Sequence, residues 1–131
     1  MELRHPTVEA VLAIHAEVLA AHGGSAGLRS RDLLESAVAA PQATMMGQPM
    51  ITEPIEIAAA YLFYLCSNHA FVDGNKRVAL ATSLVFLSEN GLLRSENLPV
   101  DDWESLTLDV ASGILRRDEV TERLRSLVGG A

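Results

Sequence analysis

Between His69 and Arg77 the sequence HAFVDGNKR sets a histidine, a carboxylate, an amide and two cations around one glycine. Each has a distinct chemical use. A neutral imidazole accepts a proton near pH 7, so His69 is a candidate general base, a role contributing about 10²–10⁴-fold to a rate. Asp73 is a hard oxygen donor suited to a magnesium ion that also contacts phosphoryl oxygens. Gly74 permits a tight turn and close ligand approach. Asn75, Lys76 and Arg77 then fall in the first turn of a helix, whose unpaired N–H groups attract a phosphate. Asn75 either orients that phosphate or fixes the loop through its own hydrogen bonds.

Lys76 is the only lysine of the chain, and between Arg31 and Arg94 it and Arg77 are the only basic residues, in a protein of formal charge −7. Cations at a helix amino terminus are mildly unfavourable without an anion, so their position argues for a bound phosphate. Nucleic-acid binding is not expected, because it needs a wider basic surface. A lone Cys66 excludes an intrachain disulfide and a cysteine-only metal cage, and its apolar setting reads as a small buried side chain. No zinc or iron spacing is present.

These residues need a scaffold. With 131 residues, 49% apolar but only 5% aromatic, the chain reads as a single all-helical domain, 1–131, with a core of Leu, Val, Ile and Ala. Thr7 caps a first helix that stops at His22-Gly23-Gly24; His15 lies in it as an ordinary helix residue or at a pocket rim. Glycines 23, 24 and 27 form a flexible connection to a second helix, capped by Ser30 and carrying an Arg31–Glu35 pair. Pro41–Met50 breaks the helical texture and is either a surface loop or a short extended flap whose methionines, 45, 46 and 50, suit adaptable contacts. Thr52 is the expected cap of the next helix, with Glu53, Pro54 and Glu56 in its first turn and an apolar surface almost all round to Cys66.

A second apolar helix runs from Asn75 to Glu89 and stops at Asn90-Gly91. The two central helices meet at His69–Gly74, with Phe71 turned inward beneath the polar residues. Leu92–Pro99 is a connector. Asp101 and Asp102 open a helix that points Trp103, Leu106, Val110 and Ile114 to one side. A last helix from about Asp118 to Gly129-Gly130 directs the arginines at 116, 117, 123 and 125 to solvent. No apolar run approaches about 18 uncharged residues and no secretion-like start is seen, so a soluble, cytoplasmic protein without membrane contact is expected.

At His69, Phe71, Asp73, Gly74, Asn75, Lys76 and Arg77 the chain resembles the death-on-curing toxin branch of the Fic superfamily, whose core pattern is His-x-Phe-x-Asp-(Ala or Gly)-Asn-Lys-Arg. Gly27-Leu28-Arg29 and Leu34-Glu35-Ser36-Ala37 look like its early segments. The resemblance implies a compact, all-helical Fic fold with two central helices, an active-site loop and a small flap. It implies a toxin of a toxin–antitoxin pair that transfers the γ-phosphoryl of ATP to a serine or threonine of a translation factor, elongation factor Tu foremost. By carry-over, His69 is the base, Asp73 holds Mg²⁺, and Gly74, Asn75, Lys76 and Arg77 bind the ATP phosphates, with Asp73, Lys76 and Arg77 catalytic beside His69.

Ala70 and Lys76 follow the toxin branch, where AMP-transferring Fic enzymes have Pro and Gly; Gly74 resembles both. AMP transfer, or a weakly active nucleotide- and antitoxin-binding protein, are therefore the alternatives. No inhibitory Ser/Thr-x-x-x-Glu-(Gly or Asn) segment occurs, so inhibition is expected in trans, from an antitoxin whose carboxy-terminal segment folds onto apolar surface near the first helices and flap.

Overall fold

The computed structural model describes residues 2–93 and 99–129. Among them are six α-helices, α1 (Val8–His22), α2 (Arg31–Ala39), α3 (Pro54–Asn68), α4 (Asn75–Glu89), α5 (Val100–Ala111) and α6 (Arg117–Gly129), and one hairpin, β1 (Thr44–Met45) with β2 (Gln48–Pro49). The all-α expectation holds. Residues 94–98 of the expected connector, and Gly130, lie outside the described residues.

Local chemistry sets most helix ends. The Thr7 hydroxyl accepts from the Ala10 N–H at 3.0 Å and that of Ser30 from Leu33 at 3.1 Å, as expected. Thr52, however, is not the cap of α3. The Glu53 carboxylate accepts the Glu56 N–H at 2.6 Å instead. Pro54 occupies the first helical position, where its missing N–H removes nothing, so the residue just before it becomes the cap.

Helical structure also persists further past α2 than proline suggested. A 3₁₀ turn, Ala40–Gln42, carries buried Pro41 near its start, where no N–H is required of it. Beyond it the chain forms a flap: Thr44 pairs with Pro49 and Met45 with Gln48, antiparallel. Met46 (φ 52°) and Gly47 (φ 79°) turn it, both left-handed as two-residue hairpins demand. Met45, Met46 and Met50 are all exposed.

Helix α3 is the hub and packs against α2, α4, α5 and α6. Ile57 through Leu62, then Leu65 and Cys66, are buried. Burial pushes the Cys66 thiol up to about 12, so it stays protonated and behaves as the small apolar side chain expected. Where α3 meets α4, Ala58 and Ser83 are small enough that the Ser83 hydroxyl donates to the Ala58 carbonyl at 2.9 Å. Helix α4 is enclosed on one side only. Val78, Ala79, Thr82, Ser83, Phe86 and Leu87 are buried, whereas Leu80, Ala81 and Leu84 face an open cleft shared with α1 and α5.

Two expectations for the carboxy-terminal half need correction. Ile114 does not join Trp103, Leu106 and Val110 in the core, because α5 ends at Ala111 and leaves it exposed. None of the four arginines simply meets solvent; Arg116 pairs locally, with Asp118 and Glu119, and the other three reach further. Arg125 pairs with the α3 cap Glu53, Arg123 with Asp109 of α5, and Arg117 with Glu56. Such half-exposed pairs contribute about 0.2–1 kcal/mol each, but here all three tie α6 to its neighbours.

The segment before α1 is bound to the core through His5, whose Nδ1 lies 2.6 Å from the hydroxyl of the fully buried Tyr61. Burial lowers the His5 pKa below its ordinary 6.5, so the folded protein favours the neutral ring. Its contribution is therefore complete above pH 6.5 and is lost as pH falls from there through the lowered folded value. Melting temperature should decline between pH 7 and pH 5, and His5→Gln should flatten that decline. Equal slopes for both proteins would refute the assignment.

Candidate functional site

Helix α3 ends at His69, which adopts a left-handed conformation (φ 51°, ψ 50°) that a non-glycine residue reaches only at a cost. The reversal is held from outside. The Arg29 Nε–H donates to the His69 carbonyl at 2.8 Å, and the Asn68 amide donates to Leu33 O at 3.1 Å. The following residues pair with Gly27–Ser30: Ala70 O accepts from Arg29 N (2.7 Å) and Ser30 N (3.0 Å), and Val72 N donates to Gly27 O (3.0 Å). Leu28 and Phe71 thus form an antiparallel bridge.

Side chains complete the turn. The Asn75 amide grips Phe71 on both sides, accepting from its N–H at 3.0 Å and donating to its carbonyl at 2.9 Å. Of the two uses open to Asn75, its amide serves the loop. The Asp73 carboxylate accepts from Gly74 N at 2.8 Å and from Ser25 N at 3.1 Å. From α1, His15 Nε2 reaches the Asp73 carbonyl at 2.7 Å, with its ring stacked 3.8 Å above buried Phe71.

What remains open is chemically selective. Gly74 (φ 80°) is the N-cap of α4, with no side-chain cap and no acid in the first turn, so the N–H groups of Asn75–Arg77 face outward unanswered. Among the described residues, neither Lys76 nor Arg77 takes part in an ion pair. Both side chains, and that of His69, are exposed. The backbone donors of Ser25 and Gly74, then the charge of Arg77, hold the Asp73 carboxyl below the usual carboxylate range. It is therefore ionised at neutral pH and keeps lone pairs for a cation. No group of three or more His, Cys, Asp or Glu able to hold a metal occurs among the described residues, so a divalent ion here would rest on Asp73 plus oxygens of a phosphate and water. That donor set fits magnesium on a nucleotide.

The cleft has a volume of about 790 Å³. His69, Asp73, Gly74, Asn75, Lys76 and Arg77 all line it, so the structure brings every expected site residue together. Its other walls are largely apolar, with Val18 of α1, Leu80, Ala81 and Leu84 of α4, and Leu108 and Ala111 of α5. The flap methionines are not among the lining residues. Sequence reasoning missed Glu104, the second carboxylate of the cleft, and His22, read only as a helix stop. His15, read as an ordinary helix residue or one at a pocket rim, does not line the cleft but is buried beneath its turn, continuing the buried stripe of Val11 along α1. Nor is the glycine connection merely flexible. A Cβ on Gly24 would stand 2.8 Å from Asp73 Oδ2, and one on Gly27 3.1 Å from Val72 Cγ2.

A sequence-family model described as the Fic/DOC family matches residues 5–87. The chain is 39% identical over 111 residues to "Toxin Doc" of Mycolicibacterium smegmatis, covering 85% of each protein. It is 32% identical over 129 residues to "Protein kinase doc" of Escherichia phage P1, covering 98% of this chain and 99% of the other.

Because Gly24 has a φ of 119° and abuts the Asp73 carboxylate, Gly24→Ala should destabilise the protein by about 1 kcal/mol or more. Chemical denaturation measures this; Gly23→Ala, with open space around it, is the control for the backbone effect alone. Equal losses for the two would show that contact with Asp73 is immaterial.

Proposed function

Because the chain belongs to the Fic/DOC family, we propose that it is the toxin of a toxin–antitoxin pair and moves the γ-phosphoryl group of ATP to a serine or threonine hydroxyl of a translation factor, elongation factor Tu being the expected target. One observation carries the reading: the uncapped start of α4, bearing Lys76 and Arg77, opens into the same cleft as His69 and Asp73. The relatives' names, a toxin and a protein kinase, support it.

In this reading His69 takes the proton of the target hydroxyl as its oxygen attacks the γ-phosphorus, and the bond to the β–γ bridging oxygen breaks to release ADP. Lys76, Arg77 and the N–H groups of the first α4 turn hold the phosphates and meet the charge that builds on them. Asp73 would hold Mg²⁺, which when bound neutralises phosphate charge. The rest is alignment of the hydroxyl with the γ-phosphorus. Backbone edges of the Thr44–Pro49 hairpin would receive an extended target segment.

The carboxy-terminal segment of a cognate antitoxin would cover apolar surface near the first helices, including Val18, Leu84 and Leu108 in the cleft wall. The enzyme would act as one domain in the cytoplasm beside its target; no described helix is long and apolar enough to cross a membrane. AMP transfer is the second reading, which Gly74, common to both branches, leaves open, since an open helix start accepts either end of a polyphosphate.

Incubation with Mg²⁺, γ-labelled ATP and elongation factor Tu should label the factor, and His69→Ala should lower the rate by at least about 10²-fold. Label arriving only from α-labelled ATP would replace phosphoryl transfer with AMP transfer. Removing magnesium with EDTA, or Asp73→Asn, should likewise suppress labelling, while Lys76→Ala should lower kcat as well as raise the KM for ATP.

A further inference from the structure

We propose that His15 is a positioning residue of the phosphate cradle, acting through the single peptide group that joins Asp73 to Gly74. A carbonyl oxygen can only accept, so the 2.7 Å contact with Asp73 O requires the hydrogen on His15 Nε2. The N–H at the other end of that same peptide donates to Asp73 Oδ1 at 2.8 Å. The peptide plane is thus held at both ends, by α1 on its oxygen and by the Asp73 carboxylate on its nitrogen.

This particular peptide needs holding. Gly74 lacks a Cβ and visits either sign of φ readily, and at the start of α4 it takes the positive one, φ 80°. Rotation of the plane would withdraw the Gly74 N–H from the carboxylate proposed to hold magnesium. It would also disturb the Gly74 carbonyl, which accepts the first helical bond from Val78 N at 2.9 Å. Both halves of the cradle, the carboxylate and the open N–H groups, therefore depend on one plane.

The imidazole is itself fixed. It is 6% exposed and lies 13° from parallel with Phe71, whose own N–H and carbonyl are gripped by Asn75. A Cβ on Gly74 would meet Nε2 at 3.5 Å, so the ring lies directly beneath the turn. Simple core filling would need the ring but not its N–H donor. Replacing each separately divides the two roles: His15→Phe keeps a stacked ring without a donor, and His15→Gln keeps a donor without the ring.

Two readouts test this, and only the kinetic one rests on the phosphotransfer reading. By ¹H–¹⁵N NMR, the Gly74 amide should shift or broaden in His15→Phe more than those of Leu19 and Phe71, and His15→Gln should return part of the change. His15→Phe should remain folded, its melting temperature lower by no more than roughly 10 °C. In γ-labelled ATP transfer its kcat should fall about tenfold or more, with little change in KM for the protein target. An unmoved Gly74 amide, or a moved one with wild-type kcat, overturns the proposal. If wild-type protein transfers no label, the phosphotransfer reading fails while the Gly74 amide still decides the role of His15.

Discussion

The structure depends on satisfying the backbone of the turn between α3 and α4. Two apolar helices can meet only if the polar groups of the chain reversing between them find partners, because unpaired groups there cost as much as lost hydrogen bonds. The partners come from far along the sequence: Gly27, Arg29 and Ser30 for His69, Ala70 and Val72, and His15 for Asp73. Asn75 and the Asp73 carboxylate supply the remainder from within the motif. Once these bonds are made the turn has little freedom left.

That economy leaves free the groups proposed for chemistry. The side chains of His69, Lys76 and Arg77 and the first N–H groups of α4 take no part in holding the turn. They project from a rigid base, the arrangement in which fixed dipoles act on a charged ligand without reorganising. Asp73 belongs to both sets. The bonds from Ser25 and Gly74 that aim its carboxylate also keep it ionised, so a structural tie and a proposed cation ligand coexist on one side chain. The glycines at 24 and 27 make this possible by letting the α1–α2 connection press against the motif where a side chain would collide.

Much of this was legible in sequence. The caps Thr7 and Ser30, the stop at Gly23, the inward Phe71 and the limits of α4 all follow from local chemistry, because capping and periodicity act within one or two turns. The failures share a cause. Thr52 lost the α3 cap to Glu53, and three arginines of α6 and its neighbourhood found carboxylates on other helices. Helix α4 looked enclosed but opens on the cleft, because the side left bare is set by where α1 and α5 dock.

The residues proposed for chemistry stand within nine consecutive positions, so their inventory, their order and the helix that begins among them were determined by sequence alone. Contiguity makes that possible, since neighbours in a turn stay neighbours however the domain packs. Tertiary structure alone decided what holds them. Whether His15 fills space or donates to Asp73, and whether a glycine run is slack or pressed against a carboxylate, depends on contacts between segments 48 to 58 residues apart. Local periodicity carries no information about such partners, because hydrogen bonds and close packing are specified by proximity in space.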